Sequence, residues 1–196
     1  MSHINTLDEL RTKIWKTKGA RFNASRRLQA RKVWGGYLVS AFSIYILAIG
    51  IFSLTETHTN PTLNLSSIIG SLLILVFSLH EGSLNAEQKA ERHHVCAKDL
   101  TALYDKVSLQ IQIAETSKAE ALIEEYARII DRSPENHDLI DYKLFKTEHK
   151  DFKVSCLTAL KIEFKYYSFQ TACTLLITTP LILLSIFYVM HQSPAV

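Results

Sequence analysis

Two short polar stretches hold the residue types that most often carry chemistry. In the first, His93-His94-Val95-Cys96, the side chains of His93 and Cys96 would be neighbours on a helix and could bind a transition metal ion. No third residue with ligand spacing stands nearby, so the other ligands would have to come from elsewhere. We favour the alternative that His93 is a polar residue in a helical seam, where such residues fix register or oligomeric state. The sequence therefore predicts no metal site and no cofactor.

The second polar stretch is Glu135-Asn136-His137-Asp138, which follows Ser133 and Pro134. These residues could bind a ligand or act in catalysis, but their order is more typical of a helix start. Ser133 would be the N-cap and Pro134 the first helical residue. The sequence shows no Ser-His-Asp signature, no glycine-rich phosphate loop and no paired-carboxylate pattern. It therefore predicts that the protein is not an enzyme and has no catalytic residues.

A third group of polar side chains lies inside long apolar runs and consists of hydroxyls, accompanied by glycines. Small residues on one helix face let another helix approach closely, and a row of hydroxyls can line a weakly selective pore in an oligomer. Hydrogen bonding between helices is the alternative role for each hydroxyl. No ionisable side chain lies well inside a run, which argues against a secondary transporter and a proton channel with a titrating gate. The candidate pore or span-packing face comprises Gly36, Ser40, Ser43, Gly50, Ser66, Gly70, Thr171, Thr174, Thr178 and Ser185.

The apolar runs occupy residues 33–54, 63–79 and 169–189, and none of them contains a charged residue. As helices they would be about 33, 26 and 32 Å long. The hydrocarbon core of a bilayer is about 30 Å thick, so all three are candidate membrane spans. Asn60-Pro61 between the first two predicts a hairpin loop at 55–62, and Pro180 is expected to kink the third span.

A heptad pattern follows the second run. Because no proline interrupts residues 63–114, we predict one helix that leaves the membrane and continues into water, with Gly82 as its weak point. The seam is compatible with pairing within one chain or between chains, and as an oligomer seam it comprises Ala90, His93, Ala97, Leu100, Tyr104, Val107 and Ile111. A helical pattern at 119–131 and a second long helix over 135–166 complete an antiparallel pair.

The N-terminal 32 residues hold nine Lys or Arg against Asp8 and Glu9, a net charge of +7. Leu7, Leu10 and Ile14 share one helical face. A basic amphipathic helix before a span could bind an anionic leaflet, or it could pack on the seam with its charges in water. We do not expect it to bind nucleic acid, because no nucleic-acid motif accompanies the charge. The candidate membrane-surface residues are Arg21, Arg26, Arg27, Arg31 and Lys32.

Together these patterns predict an all-α membrane protein of one domain. Its parts are a cytosolic basic helix at 1–32, a transmembrane hairpin at 33–79, a cytosolic helical hairpin at 80–166 and a C-terminal transmembrane helix at 167–190. The hairpin loop and the tail lack Lys and Arg, so the positive-inside rule places the N-terminus inside and the C-terminus outside. Three cysteines without CxxC spacing indicate reduced thiols facing the cytosol, and no cleavable signal peptide is predicted.

Two segments resemble a known family. They are RTKIWKTKGARFNASRRL at 11–28, just before the predicted hairpin, and YARIIDRSPENHD at 126–138, followed by Tyr142. Together with the hairpin, they resemble the SLATT domain, the SMODS- and SLOG-associating two-transmembrane effector domain, and most closely the subgroup found beside reverse transcriptases. The third apolar run exceeds the two spans of the family's name. The family-like turn motif is formed by Ser133, Pro134, Glu135, Asn136 and His137.

The resemblance implies a bacterial antiphage effector in the inner membrane that forms pores or otherwise breaches the membrane when an upstream sensor fires. We therefore expect a homo-oligomer that permeabilises or depolarises the membrane on a cytosolic cue, as in abortive infection. The expected partners are the lipid bilayer, further copies of the chain and an upstream sensor such as a reverse transcriptase or a nucleotide-signal system. The alternatives are a constitutive ion channel or channel subunit, and a membrane-tethered scaffold of interacting helices.

Overall fold

The structure is a computed structural model that describes residues 2–55, 61–113 and 117–192. Within these ranges the chain forms helices and no strand, which confirms the predicted all-α class. The central part of the predicted hairpin loop, the last residue of the predicted helix over 63–114 (Ala114) and the end of the C-terminal tail lie outside the described residues. The helices are α1 (Ser2–Thr55), α2 (Pro61–Ser83), α3 (Ala86–Gln112), α4 (Ala119–Asp131), α5 (Leu139–Glu148) and α6 (Cys156–Gln192).

The helices divide between two compact units. The charged unit consists of Met1–Gln29 and Glu87–Tyr167, and the apolar unit consists of Ala30–Ala86 and Ser168–Val196. Helices α1 and α6 each contribute residues to both units. The predicted basic helix and first span are therefore successive parts of one helix, as are the start of α6 and the third span.

The apolar unit contains the three predicted spans. The segments Asn5–Ser53, Pro61–Gln112 and Cys156–Met190 each contain a window with a mean hydropathy of 1.9 to 2.1, long and apolar enough to cross a membrane. The hydroxyl of Tyr45 donates a hydrogen bond of 2.6 Å to the carbonyl oxygen of Ile177, which joins α1 to α6. Little of these windows is buried within the chain, so their surfaces face lipid or other proteins.

The core of the charged unit lies where α1, α3 and α4 meet. Leu7, Leu10 and Ile14, the predicted apolar face of α1, are buried there. Leu100 and Val107 of the seam contribute to the same cluster, and Ala90 and Ala97 are also buried. The seam therefore packs against helices of its own chain. A helix face that is already covered in this way is not free to bind a second copy.

The predicted single helix over 63–114 is wrong at one point. Helix α2 ends at Ser83 and α3 begins at Ala86, and the turn between them has Asn85 at φ 50°. This is the left-handed region, which Asn enters more readily than most residues because its side chain hydrogen-bonds locally. Gly82, the expected weak point, lies inside α2.

The predicted second long helix over 135–166 is also wrong. Residues 133–138 are not helical, α5 ends at Glu148, and the next helix begins only at Cys156. Asp138, not Ser133, is the N-cap of α5, and it forms a capping box with Asp141. Because of the break after α5, Phe145 is buried whereas Leu160 and Phe164 are exposed, although one continuous helix would place all three on one face.

Candidate functional site

The two sequence segments that resemble the SLATT family contact each other through Arg21. This residue of α1 is only 3% exposed. Its Nη1 atom donates hydrogen bonds of 2.6 Å to the hydroxyl of Ser133 and 2.8 Å to the carbonyl oxygen of Glu135. The same atom lies 3.5 Å from Nδ1 of His93 on α3. We call Arg21, His93, Ser133, Glu135 and His137 the Arg21 cluster.

A second group of polar residues lies further along the same contact, around Asp141. The Asp141 carboxylate is fully buried and accepts hydrogen bonds from Nε and Nη2 of Arg27 at 2.8 and 3.0 Å. Such bidentate arginine–carboxylate pairs are among the strongest polar contacts in proteins. Asn23 donates to the Asp141 carbonyl oxygen at 3.2 Å, and the Tyr166 hydroxyl donates to the Asn23 carbonyl oxygen at 2.7 Å. These contacts fix α5 and the start of α6 against α1.

Burial and the Arg21 charge act together on the histidines of the Arg21 cluster. Desolvation lowers the pKa of His93 and His137, and the nearby Arg21 guanidinium lowers both further. Burial raises the pKa of Glu135, but the hydrogen bond from Arg92, a backbone hydrogen bond and the nearby positive charges together outweigh it, so the pKa is lowered. Near neutral pH the cluster therefore combines neutral imidazoles with a fixed guanidinium.

The Arg21 cluster also contains unsatisfied polar atoms. Arg21 Nε, His137 Nδ1 and Glu135 Oε2 are buried and have no hydrogen-bond partner. Each such atom costs roughly 1–3 kcal/mol. The cluster is therefore less tightly satisfied than the Arg27–Asp141 pair beside it.

The prediction of five membrane-surface basic residues needs correction. Arg21 is buried, Arg27 pairs with Asp138 and Asp141, and Arg31 pairs with Glu81 at 2.9 Å. These guanidinium groups are directed to carboxylates and hydroxyls of the same chain. Arg26 and Lys32 are exposed.

The histidine and cysteine of the first polar stretch lie in the core. His93 and Cys96 are both 3% exposed, and burial raises the pKa of the Cys96 thiol. In the ranges that the structure describes, no group of three or more His, Cys, Asp or Glu side chains is arranged to hold a metal ion. Nδ1 of His93 instead lies 3.5 Å from the Arg21 guanidinium, which cannot bind a metal cation.

Five hydroxyls of the candidate pore or span-packing face bond to their own helices. Ser43 and Ser66 donate to the carbonyl oxygens of Val39 and Thr62, and Thr174, Thr178 and Ser185 donate four residues back in the same way. Their hydrogen-bonding needs are thus met while the side chains stay at the helix surface.

The glycines of that face differ in their surroundings. Gly70 lies against Ile46, so it serves packing between α2 and α1. No atom lies within 4 Å of a Cβ placed at Gly36 or Gly50, and Ser40 and Ser43 are exposed. The face of α1 with Gly36, Ser40 and Ser43 is therefore open to lipid or to another copy.

Sequence reasoning missed Asn23 and Asp141 and misplaced Ser133. One signal was present: Asp138 and Asp141 are three residues apart, the spacing of a capping box. Nothing in the local pattern shows that the Ser133 hydroxyl accepts from an arginine 112 positions earlier.

These observations define an all-helical membrane protein whose charged unit is held together by polar contacts between α1 and the 133–141 segment. The chain belongs to the SMODS and SLOG-associating 2TM effector domain family 5, whose model matches residues 4–190. The family resemblance is thus confirmed over nearly the whole chain. No curated protein and no solved structure matches it.

Proposed function

We propose that this protein is a bacterial antiphage effector of the inner membrane that assembles from several copies and permeabilises or depolarises the membrane on a cytosolic cue. Family membership supports the general part of this proposal, namely an effector domain with membrane helices that associates with SMODS and SLOG proteins. In this proposal it acts by assembly and not by catalysis. The cue comes from an upstream sensor, such as a reverse transcriptase or a nucleotide-signal system.

The observation that carries the proposal is the exposure of the spans. Helix α2 has no buried residue, and no more than 11% of any span window is buried within the chain. Helices of a membrane channel or carrier that works as one protomer would bury their functional faces against each other. Here the hydroxyl-bearing faces lie on the surface of the protomer. They can line a pore only in an oligomer, in which several copies of the chain enclose that pore.

The test uses the full chain in liposomes that contain a self-quenching dye and a potassium-sensitive probe. We expect release of potassium by the assembled protein, with or without release of dye according to pore size. The measurement is repeated with cytosolic extract from infected cells, which supplies the cue. Retention of both probes in both settings would contradict the proposal, and steady currents without toxicity in cells would favour a constitutive channel.

A pair of threonine substitutions checks the role of the hydroxyls. Thr174→Val keeps the side-chain shape but removes the hydroxyl from the candidate pore face. If the hydroxyl contacts the passing ion, its loss removes a polar contact of about 1 kcal/mol. We therefore expect a potassium flux that is lower by roughly fivefold. Thr179→Val is the matched control, because residue 179 lies about 140° around the helix from residue 174. Equal fluxes for both variants would mean that this face does not line a pore.

A further inference from the structure

The first three turns of α6 carry an apolar stripe that the protomer leaves uncovered. Leu157, Leu160 and Phe164 are 73%, 64% and 66% exposed. The opposite side of the same turns is packed, since Tyr166 is 6% exposed and donates its hydroxyl to Asn23. Helix α6 thus has one face for its own chain and a second apolar face with no cover among the described residues.

The spacing of this stripe is that of a coiled coil. Leu157, Leu160 and Phe164 are separated by steps of three and four, and Tyr167 continues the series with another step of three. The sequence keeps the same register further on, because Thr171, Thr174 and Thr178 follow in steps of four, three and four. The stripe and the hydroxyl face therefore follow one seam along α6.

Lipid is not the natural environment of the stripe. Lys161, Glu163 and Lys165 lie among its residues, and charged side chains avoid the hydrocarbon core. Residues 169–189 already reach about 32 Å, enough for the core without the preceding turns. An occupant must therefore be a helix that runs beside α6 outside the hydrocarbon.

The charges beside the stripe identify that helix. Lys161 lies on one side of the stripe and Glu163 on the other, by the 100° rotation per residue of an α-helix. Copies inserted in the same direction are related by rotation about an axis along the membrane normal. Such a rotation brings the Lys161 side of one copy next to the Glu163 side of its neighbour, whatever the number of copies.

We propose that the Leu157, Leu160 and Phe164 stripe of α6 is the interface between copies of this chain, packed in parallel with Lys161 of one copy facing Glu163 of the next. This deepens the proposed function and rests on it, since it names the surface through which the effector assembles. It also replaces the α3 seam, which is buried, as the place of assembly.

Mass photometry of the full-length protein in detergent, with chemical crosslinking in liposomes, tests the interface. Leu160→Glu and Phe164→Glu place a charge in the stripe without removing a core residue, so far-ultraviolet circular dichroism should stay unchanged. We expect both variants to shift to the protomer mass, with association at least about tenfold weaker. Thr158→Glu adds the same charge on the same helix about 160° from Leu160 and should assemble like the wild type.

The charge arrangement is tested by mixing. Lys161→Glu alone makes both sides of the stripe negative, and Glu163→Lys alone makes both positive, so each should weaken assembly. An equal mixture places opposite charges at every contact and should restore the oligomer. Restoration supports the parallel arrangement, and a mixture no better than either variant overturns it.

Three further results would overturn the interface itself. One is a wild-type protein that stays at the protomer mass at every concentration. Another is Leu160→Glu that assembles like the wild type. The third is Leu160→Glu that loses membrane association but not assembly, which would place the stripe on the lipid surface. Leakage is read on the same samples, so a stripe variant that still assembles and leaks contradicts only the interface. Assembly without leakage under any condition contradicts only the permeabilising function.

Discussion

At the scale of single residues, Asp141 holds the charged unit together. It joins Arg27 of α1 to the N-terminus of α5, and its carboxylate is fully buried. We predict that Asp141→Asn lowers the free energy of unfolding by about 3 kcal/mol, because it leaves the partly buried Arg27 guanidinium without its main partner. Thermal unfolding of the full-length protein in detergent measures the change.

The control for this prediction is Asp138→Asn. It removes the other carboxylate of the same ion-pair network, but the Asp138 side chain is 68% exposed and Asn still caps a helix. Exposed ion pairs contribute at most about 1 kcal/mol. Equal losses for the two variants would contradict the assignment of the buried pair as the main polar contact.

The histidines of the Arg21 cluster predict a loss of stability in mild acid. The pKa values of His93 and His137 are lowered in the folded protein relative to the ordinary histidine pKa of 6.5. As the pH falls to about 6.5 and below, these histidines therefore bind more protons in the unfolded chain than in the folded protein. The contribution of the two neutral histidines to the free energy of unfolding is therefore fully present above pH 6.5. It decreases as the pH falls from 6.5 through the pKa values of the folded protein. Glu135, Asp138 and Asp141 oppose the shift but do not reverse it.

Chemical denaturation across this pH range measures the effect. His93→Gln removes one of the two titrating groups and should flatten the pH dependence of the unfolding free energy. His94→Gln is the matched control, because His94 is the exposed neighbour of His93. A wild-type protein with constant stability between pH 7 and 5 would contradict the prediction.

At the scale of helices, α1 and α5 meet at Gly19. A Cβ atom placed there would overlap the ring of Phe145, which also packs edge-on against Trp15 at 4.9 Å. We predict that Gly19→Ala destabilises the protein by about 1–3 kcal/mol through overpacking, despite the better helix propensity of Ala. Thermal unfolding again measures the change.

Gly36→Ala is the control on the same helix. No atom lies within 4 Å of its Cβ position, so only helix propensity acts. It should leave the unfolding free energy unchanged or raise it by up to about 1 kcal/mol. A stabilised Gly19→Ala would show that Phe145 moves aside at little cost.

The helices also show which parts of the structure could be predicted from the sequence. Hydropathy located the three spans, and apolar periodicity located the buried faces of α1 and α3, because burial demands a repeat of 3.5–3.6 residues. The turn at Asn85 and the non-helical residues 133–138 were missed. Neither feature gives a periodic pattern. The turn depends on the left-handed backbone of Asn85, and the 133–138 segment depends on a tertiary contact, the hydrogen bond from Arg21 to Ser133.

The candidate site divides in the same way. The family-like segments at 11–28 and 126–138 were recognised, but their contact through Arg21 and Arg27 was not, because pairing across more than a hundred residues leaves no periodic signal. The sequence therefore left two roles open for the basic residues, binding to an anionic leaflet or exposure to water on a packed helix. Net charge along the chain cannot tell a free cation from one paired with a distant carboxylate.

At the scale of the whole molecule, we predict from the three candidate spans that the two ends of the chain lie on opposite sides of the membrane. The N-terminal 32 residues carry +7, and the loop between the first two spans has no Lys or Arg. We therefore predict that residues 80–166 are cytosolic. Cys156 is exposed whereas Cys96 and Cys173 are buried, so Cys156 serves as a natural reporter for this segment.

A membrane-impermeant maleimide should modify Cys156 in inverted inner-membrane vesicles and leave it unmodified in intact spheroplasts. Thr59→Cys, in the hairpin loop predicted from the sequence, should react in the reverse pattern when combined with Cys156→Ser. Labelling is measured by the mass shift of the full-length protein. Modification of Cys156 in intact spheroplasts would place residues 80–166 outside the cell. In that case no cytosolic sensor could reach the Arg21 cluster or the α6 stripe, and the proposed activation from the cytosol would fail.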